Sequence, residues 1–157
     1  MSAPRSTTAP RPATVEVRVP SRMGFEKVAM STAASVARLM GFRQDRIEDL
    51  KTAVAEACIN AIEHGNRLNE KLSVGVILSA GPDALEVKVM DEGKGMNRQP
   101  GKQNTPDIDR KMRGEEDPRG MGMFLIQALV DEAEWVAGDE ANSSYVRLVI
   151  RLDKDAE

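Results

Sequence analysis

The chain has 157 residues, 41% apolar and 30% charged, with a formal net charge of −3. A chain of this size builds one domain with a real core, and its mild acidity leaves no electrostatic footprint for nucleic acid or an anionic membrane. One cysteine excludes an internal disulfide framework, and one histidine beside it leaves little for a zinc site.

Residues 1–13 are rich in Pro, Ser, Thr and Ala and read as a disordered tail before a single domain over 14–157. No stretch approaches the ~18 consecutive apolar residues of a membrane span. The N-terminus shows no apolar signal region, so a reducing cytoplasm is expected. A short strand places Val15, Val17 and Val19 on one face and ends at Pro20. Ser21 is expected to cap a helix whose apolar positions are Phe25, Val28, Ala29, Thr32, Val36, Leu39 and Met40, closed by Gly41. Asp45 with Glu48 forms a capping-box pattern that opens the next helix, expected to run to about Gly65.

That second helix carries the first candidate site. Between Ala53 and Ile62 only Glu56 and Asn60 are strongly polar. Four apart, they stack on one helical face. Ile47, Leu50, Val54, Cys58 and Ala61 form an apolar stripe opposite. A carboxylate and an amide among alanines suggest a base and a Mg²⁺ ligand. They read equally well as an internally satisfied polar pair in a core helix.

The period then switches to two. Leu72, Val74, Val76 and Leu78 alternate with other residues, Gly81-Pro82-Asp83 turns the chain, and Leu85, Val87 and Val89 alternate again. This hairpin runs into Asp91-Glu92-Gly93-Lys94-Gly95-Met96. An aspartate leaving a strand between glycines can accept a hydrogen bond from an exocyclic amine, and it also reads as a plain turn. Residues 97–119 are long, charged and poor in apolar anchors. Arg119-Gly120-Met121-Gly122 then opens a helix from Met123 to about Asp131, where free N–H groups and the helix dipole suit phosphate and a glycine pair also suits close packing. Two strands follow, Glu134–Ala137 and Tyr145–Leu152. The element order implies an α+β fold: a two-layer sandwich whose mixed, mostly antiparallel sheet carries helices on one face.

Taken together, Glu56–Gly65, Asp91–Gly95 and Arg119–Ile126 resemble, in order and spacing, the N, G1 and G2 boxes of the Bergerat-fold (GHKL) ATPases. They resemble most the anti-sigma-factor serine/threonine kinase branch, including the Asp131-Glu132 pair after the third box. The resemblance covers about residues 14–152. It implies ATP and Mg²⁺ as cofactors, with Asn60 as metal ligand and Glu56 as catalytic base. It implies that Asp91 binds the adenine amine, with Gly93, Gly95 and Met96 around the ring, and that residues 96–119 form an ATP lid. Gly120, Met121, Gly122 and Met123 would cradle phosphate, and Arg119 would counter its charge. The usual Gly-Thr-Thr before the last strand is replaced by Ser143-Ser144-Tyr145, so Ser144 is the candidate for the remaining hydroxyl on the adenine side.

The implied function is phosphorylation of a serine on a STAS-domain anti-sigma-factor antagonist, with a sigma factor or other response regulator as competing partner and a homodimer possible. An ATP-binding module without phosphotransfer and a detached histidine-kinase catalytic domain are the alternatives. His64 reads as a phosphoacceptor or as a helix-end side chain ahead of a Gly65 C-cap. The second is expected, since Glu56 already supplies a base.

Overall fold

A computed structural model describes residues 13–93, 118–139 and 143–152. Residues 1–12 of the expected tail, most of the expected lid, Lys94, Gly95 and Met96 lie outside the described residues, whereas Ala13, assigned to the tail, already begins the first strand; of Pro118, Arg119 and Gly120 only the backbone is described.

The strand β1 spans Ala13–Pro20 and the helix α1 Glu26–Met40. The helix α2 spans Gln44–Asn60 and continues as a π turn over Ala61–Gly65. The strands β2 (Ser73–Ala80) and β3 (Ala84–Met90) form the hairpin, and α3 (Pro118–Leu129), β4 (Glu132–Val136) and β5 (Tyr145–Arg151) complete the chain. The sheet order is β1-β2-β3-β5-β4, and every pairing is antiparallel. Among the described residues the sheet is therefore purely antiparallel rather than mixed.

Register explains the core. Val15 pairs with Leu78, Leu78 with Val87, Val87 with Leu148, and Leu148 with Ala133, a row across all five strands. Alternation puts this whole row on one face, and Leu78, Val87 and Leu148 are fully buried there. Each such side chain contributes about 1.5–3 kcal/mol by leaving water. The opposite face is polar: Arg147 bridges Glu86 and Glu132, and Arg151 pairs with Glu132. Glu132, half of the acidic pair noted in the sequence, thus serves the outer face of the sheet.

The helix α1 differs from expectation in which face it buries, whereas α2 with its π turn buries the expected stripe of Ile47, Leu50, Val54, Cys58 and Ala61. The inward side of α1 is mostly alanine (Ala29, Ala33, Ala34 and Ala37, with Val36), while Val28 is 45% and Leu39 89% exposed. The periodicity located the helix, but the narrow space beside α2 admits small side chains, so the larger ones turn outward. Ser21 does not cap α1. The N-cap is Phe25, whose side chain makes no capping bond, and the Gly24 N–H donates instead to Glu26 Oε1. Nor does Asp45 cap α2; it sits inside the first turn, bonded to the Arg46 N–H and to Arg43. Gly41 closes α1 as expected, at φ 96°. The helix α3 starts five residues earlier than predicted, and β4 starts at Glu132 rather than Glu134. Among the described residues, no helix is long and apolar enough to cross a membrane.

Candidate functional site

The helix α2 packs between α1 and α3 and buries Ile47, Leu50, Ala53, Val54, Ala57 and Cys58. This leaves Glu56 and Asn60 half-buried on another face, as the four-residue spacing requires. The Asn60 Nδ2 is buried and has no hydrogen-bond partner among the described residues. An amide so placed costs about 1–3 kcal/mol unless something completes it.

What faces this pair is a glycine. A Cβ on Gly122 would lie 3.0 Å from Glu56 Oε1 and 3.3 Å and 3.4 Å from the Asn60 amide atoms. The first turns of α3 therefore bring bare backbone against the carboxylate and the amide. The other end of α3 is tied down. Arg46 donates to the Leu129 carbonyl at 3.3 Å, to Asp49 at 2.8 Å and to Asp131 at 3.2 Å. Asp131 also accepts the Arg151 N–H, so one carboxylate fastens α2, α3 and β5 together. Met123 and Ile126 face inward, and Met121 is 42% exposed.

A second cluster forms where α2 ends. The Asn66 N–H reaches Ala61 O at 2.7 Å, an i→i+5 bond that widens the helix into a π turn, a feature that recurs at functional sites. The turn brings Gly65 against Asp91. A Cβ on Gly65 would fall 2.3 Å from Asp91 Oδ2, and one on Gly93 would fall 1.9 Å from Gly65 O. Neither position admits a side chain. Gly65 is thus not the left-handed C-cap expected from the sequence; it makes room for Asp91.

Asp91 is buried, 4% exposed. Its N–H donates to Ser144 O, and its Oδ1 accepts the Gly93 N–H at 3.0 Å. The buried Ser144 hydroxyl accepts the Gly138 N–H at 2.9 Å. Asn66 completes the cluster: it donates to Ser73 O at 3.0 Å and accepts the Glu92 N–H at 2.8 Å.

The structure thus gathers Glu56, Asn60 and Gly122 at one place and Asp91, Gly93 and Ser144 at another, both reached from α2. Gly65, Asn66 and Arg46 were not singled out as site residues from the sequence. Only Gly65 carries a local signal, as the residue that closes the Glu56–Gly65 box. His64 has a buried Nε2 with no hydrogen-bond partner among the described residues, its nearest acidic neighbour being Glu63 at 3.8 Å. Cys58 faces the core, and burial pushes its thiol up to about 12. An inert structural role follows.

Residues 20–150 match the family described as the histidine kinase-like ATPase domain. The chain is 34% identical over 126 residues to the serine-protein kinase RsbW of Oceanobacillus iheyensis, covering 76% of this chain and 77% of that relative. It is 34% identical over 124 residues to the serine-protein kinase RsbW of Bacillus subtilis, covering 75% and 74% respectively. Among solved structures it resembles the RsbU and RsbW domains of Rv1364c from Mycobacterium tuberculosis, with a TM-score of 0.64 at 20% identity. That similarity covers 92% of this chain and 34% of the longer one, and it bears on the fold alone.

Proposed function

The chain belongs to the family of histidine kinase-like ATPase domains, and on that premise we propose that it is an ATP-dependent serine-protein kinase whose site spans the two clusters. The observation that carries this reading is the buried, unpartnered Asn60 Nδ2 lying against Gly122. A buried amide donor without a partner, facing backbone at the start of a helix, fits a site finished by a phosphate oxygen. The Asn60 carboxamide would hold Mg²⁺ through its oxygen. When bound, the ion neutralises charge building on the transferring phosphoryl group.

The residues divide the remaining work. Glu56, one turn from Asn60, takes the proton of the incoming serine hydroxyl while that oxygen bonds to the γ-phosphorus and the bond to ADP breaks. The first turns of α3, from Arg119 to Met123, present N–H groups to the phosphates. Arg119 adds positive charge there. Asp91 accepts from the adenine amine, and Gly93, whose missing side chain makes way for the Gly65 carbonyl, holds that carboxylate through its N–H; Gly95 and Met96, proposed beside the base, lie outside the described residues. Ser144 acts from behind, holding the Asp91 N–H through its carbonyl, while its hydroxyl accepts from Gly138.

The serine-protein kinases that this chain resembles over three quarters of its length support a serine acceptor. The receiving partner would be a STAS-domain anti-sigma-factor antagonist, with a sigma factor or similar regulator competing for the kinase as a homodimer in the cytoplasm. The test is incubation of the full chain with γ-labelled ATP and candidate STAS proteins. Label on a serine is expected. Label on a histidine, or ATP bound with no transfer to any of them, contradicts the reading.

A further inference from the structure

We infer that Asn66 is a positioning residue for nucleotide-base selection, acting through the Glu92 N–H on the adjoining Asp91 carboxylate. The inference rests on the reading of Asp91 as the adenine ligand. Asn66 is 2% exposed, yet it sits at the end of a surface turn. Its side chain spends both of its polar ends on backbone. Nδ2 donates to Ser73 O at 3.0 Å and Oδ1 accepts the Glu92 N–H at 2.8 Å. The first bond fixes Asn66 to the start of β2. The second fixes the residue after Asp91. One amide therefore sets the distance between the end of the α2 segment and the loop that carries the carboxylate.

The same loop is held from its other side. Glu92 Oε1 accepts the Ser73 N–H at 2.9 Å, and its Oε2 pairs with Arg18 at 2.8 Å. Asn66 and Glu92 thus grip Ser73 by its carbonyl and its N–H, and the loop is tied to β2 twice. The alignment has to be tight, because Gly93 touches the Gly65 carbonyl and Gly65 touches the Asp91 carboxylate.

An independent feature points the same way. Arg67 and Leu68 take φ of 54° and 60°, left-handed conformations that side chains disfavour. Leu68 is 55% exposed, so that backbone gains it no burial. The strained turn is held by bonds from the Leu68 N–H to Ile62 O and from the Asn69 N–H to Asn66 O. Strain of this kind persists where the surroundings over-determine it. Here it delivers the Asn66 amide between β2 and Glu92.

A buried asparagine that merely satisfies β2 would affect stability alone. A positioning role affects which base is preferred. Inosine triphosphate is the probe, since it carries a carbonyl where ATP carries the exocyclic amine. Dissociation constants for both nucleotides are measured on the full chain. Wild type should prefer ATP, and Asp91→Ala should bring the ratio close to one. Asn66→Ala should lower the ratio about threefold to tenfold, the scale of one misplaced hydrogen bond. Asn66→Asp keeps the Oδ acceptor and should stay within about twofold of wild type, although its melting temperature falls with the bond to Ser73. If Asn66→Ala does not fold, Asn66→Ser, whose shorter side chain cannot span from Ser73 O to the Glu92 N–H, should lower the ratio by a similar factor. A lower melting temperature with an unchanged ratio in Asn66→Ala, or in Asn66→Ser where the first does not fold, overturns the inference while Asp91 stands. An unchanged ratio in Asp91→Ala overturns the Asp91 reading and this inference with it.

Discussion

The two ends of the site are built on opposite plans. At the Asp91 end the polar groups are joined to one another: Asp91 to Gly93 and Ser144, Asn66 to Ser73 and Glu92, Ser144 to Gly138. Two glycines are in contact there, with no room for a Cβ on either. At the Glu56 end the Asn60 Nδ2 has no partner among the described residues, and a Cβ on Gly122 would sit tightly, 3.0–3.4 Å, against the Glu56 and Asn60 side-chain ends. One end is preorganised by the protein, and the other is left for a ligand to finish. Preorganisation saves ordering cost where a neutral base must be chosen. An open end suits phosphate and metal, whose strong charge can draw the last groups into place.

The largest effect that would break this division falls at the open end. Glu56→Gln should lower serine phosphotransfer by roughly 10²–10⁴-fold while ATP affinity stays nearly normal, checked by single-turnover label transfer and a binding titration. Equal activity would remove Glu56 as the base. At the closed end, Gly93→Ala forces a methyl into the Gly65 carbonyl at 1.9 Å, so the backbone itself must move. It should destabilise the fold by about 1–3 kcal/mol, seen in denaturant unfolding, and weaken ATP binding as well.

Gly122→Ala sharpens the contrast, since its Cβ would meet only the ends of two side chains. Replacing glycine within a helix should stabilise the fold by about 0.5–1 kcal/mol. Affinity for Mg-ATP should nevertheless fall, by about tenfold if the methyl costs one interaction at the phosphates. Stability and binding should therefore move in opposite directions at Gly122 and together at Gly93.

How much of this could be read from the chain depended on whether the cause was local. The strands were legible because period two and burial coincide: Val74, Val76 and Leu78 face the core as their alternation requires. Glu56 and Asn60 stood out because polar residues interrupt an alanine-rich helix at one-turn spacing. The buried face of α1 was misjudged because large apolar residues attract notice, while the space beside α2 selects alanine. The caps at Ser21 and Asp45 failed because cap residues match by type and are decided by where the chain enters the helix. The π turn leaves no mark in composition, so the contact of Gly65 with Asp91, made between residues 26 apart, was hidden with it.

A further effect, confined to alkaline pH, concerns the dry side of α2, opposite the site. The Cys58 thiol rises from 9.0 to about 12 through burial, so the folded chain keeps a proton that the unfolded chain gives up. Cys58 leaves stability unchanged below pH 9.0 and lowers it as the pH climbs toward about 12. The slope is at most about 1.4 kcal/mol per pH unit. Urea midpoints of wild type and Cys58→Ala should accordingly diverge above that pH and run parallel below it.

The division between a closed end and an open one is tested most directly by the melting temperature with ATP, with and without Mg²⁺, in wild type and Asn60→Ala. Saturating Mg-ATP should stabilise wild type by about 2.7 kcal/mol at a hundred times Kd. Asn60→Ala should keep the modest gain from ATP alone and lose the increment that Mg²⁺ adds. A full Mg²⁺-dependent increment in Asn60→Ala would contradict the assignment of the open end to the metal.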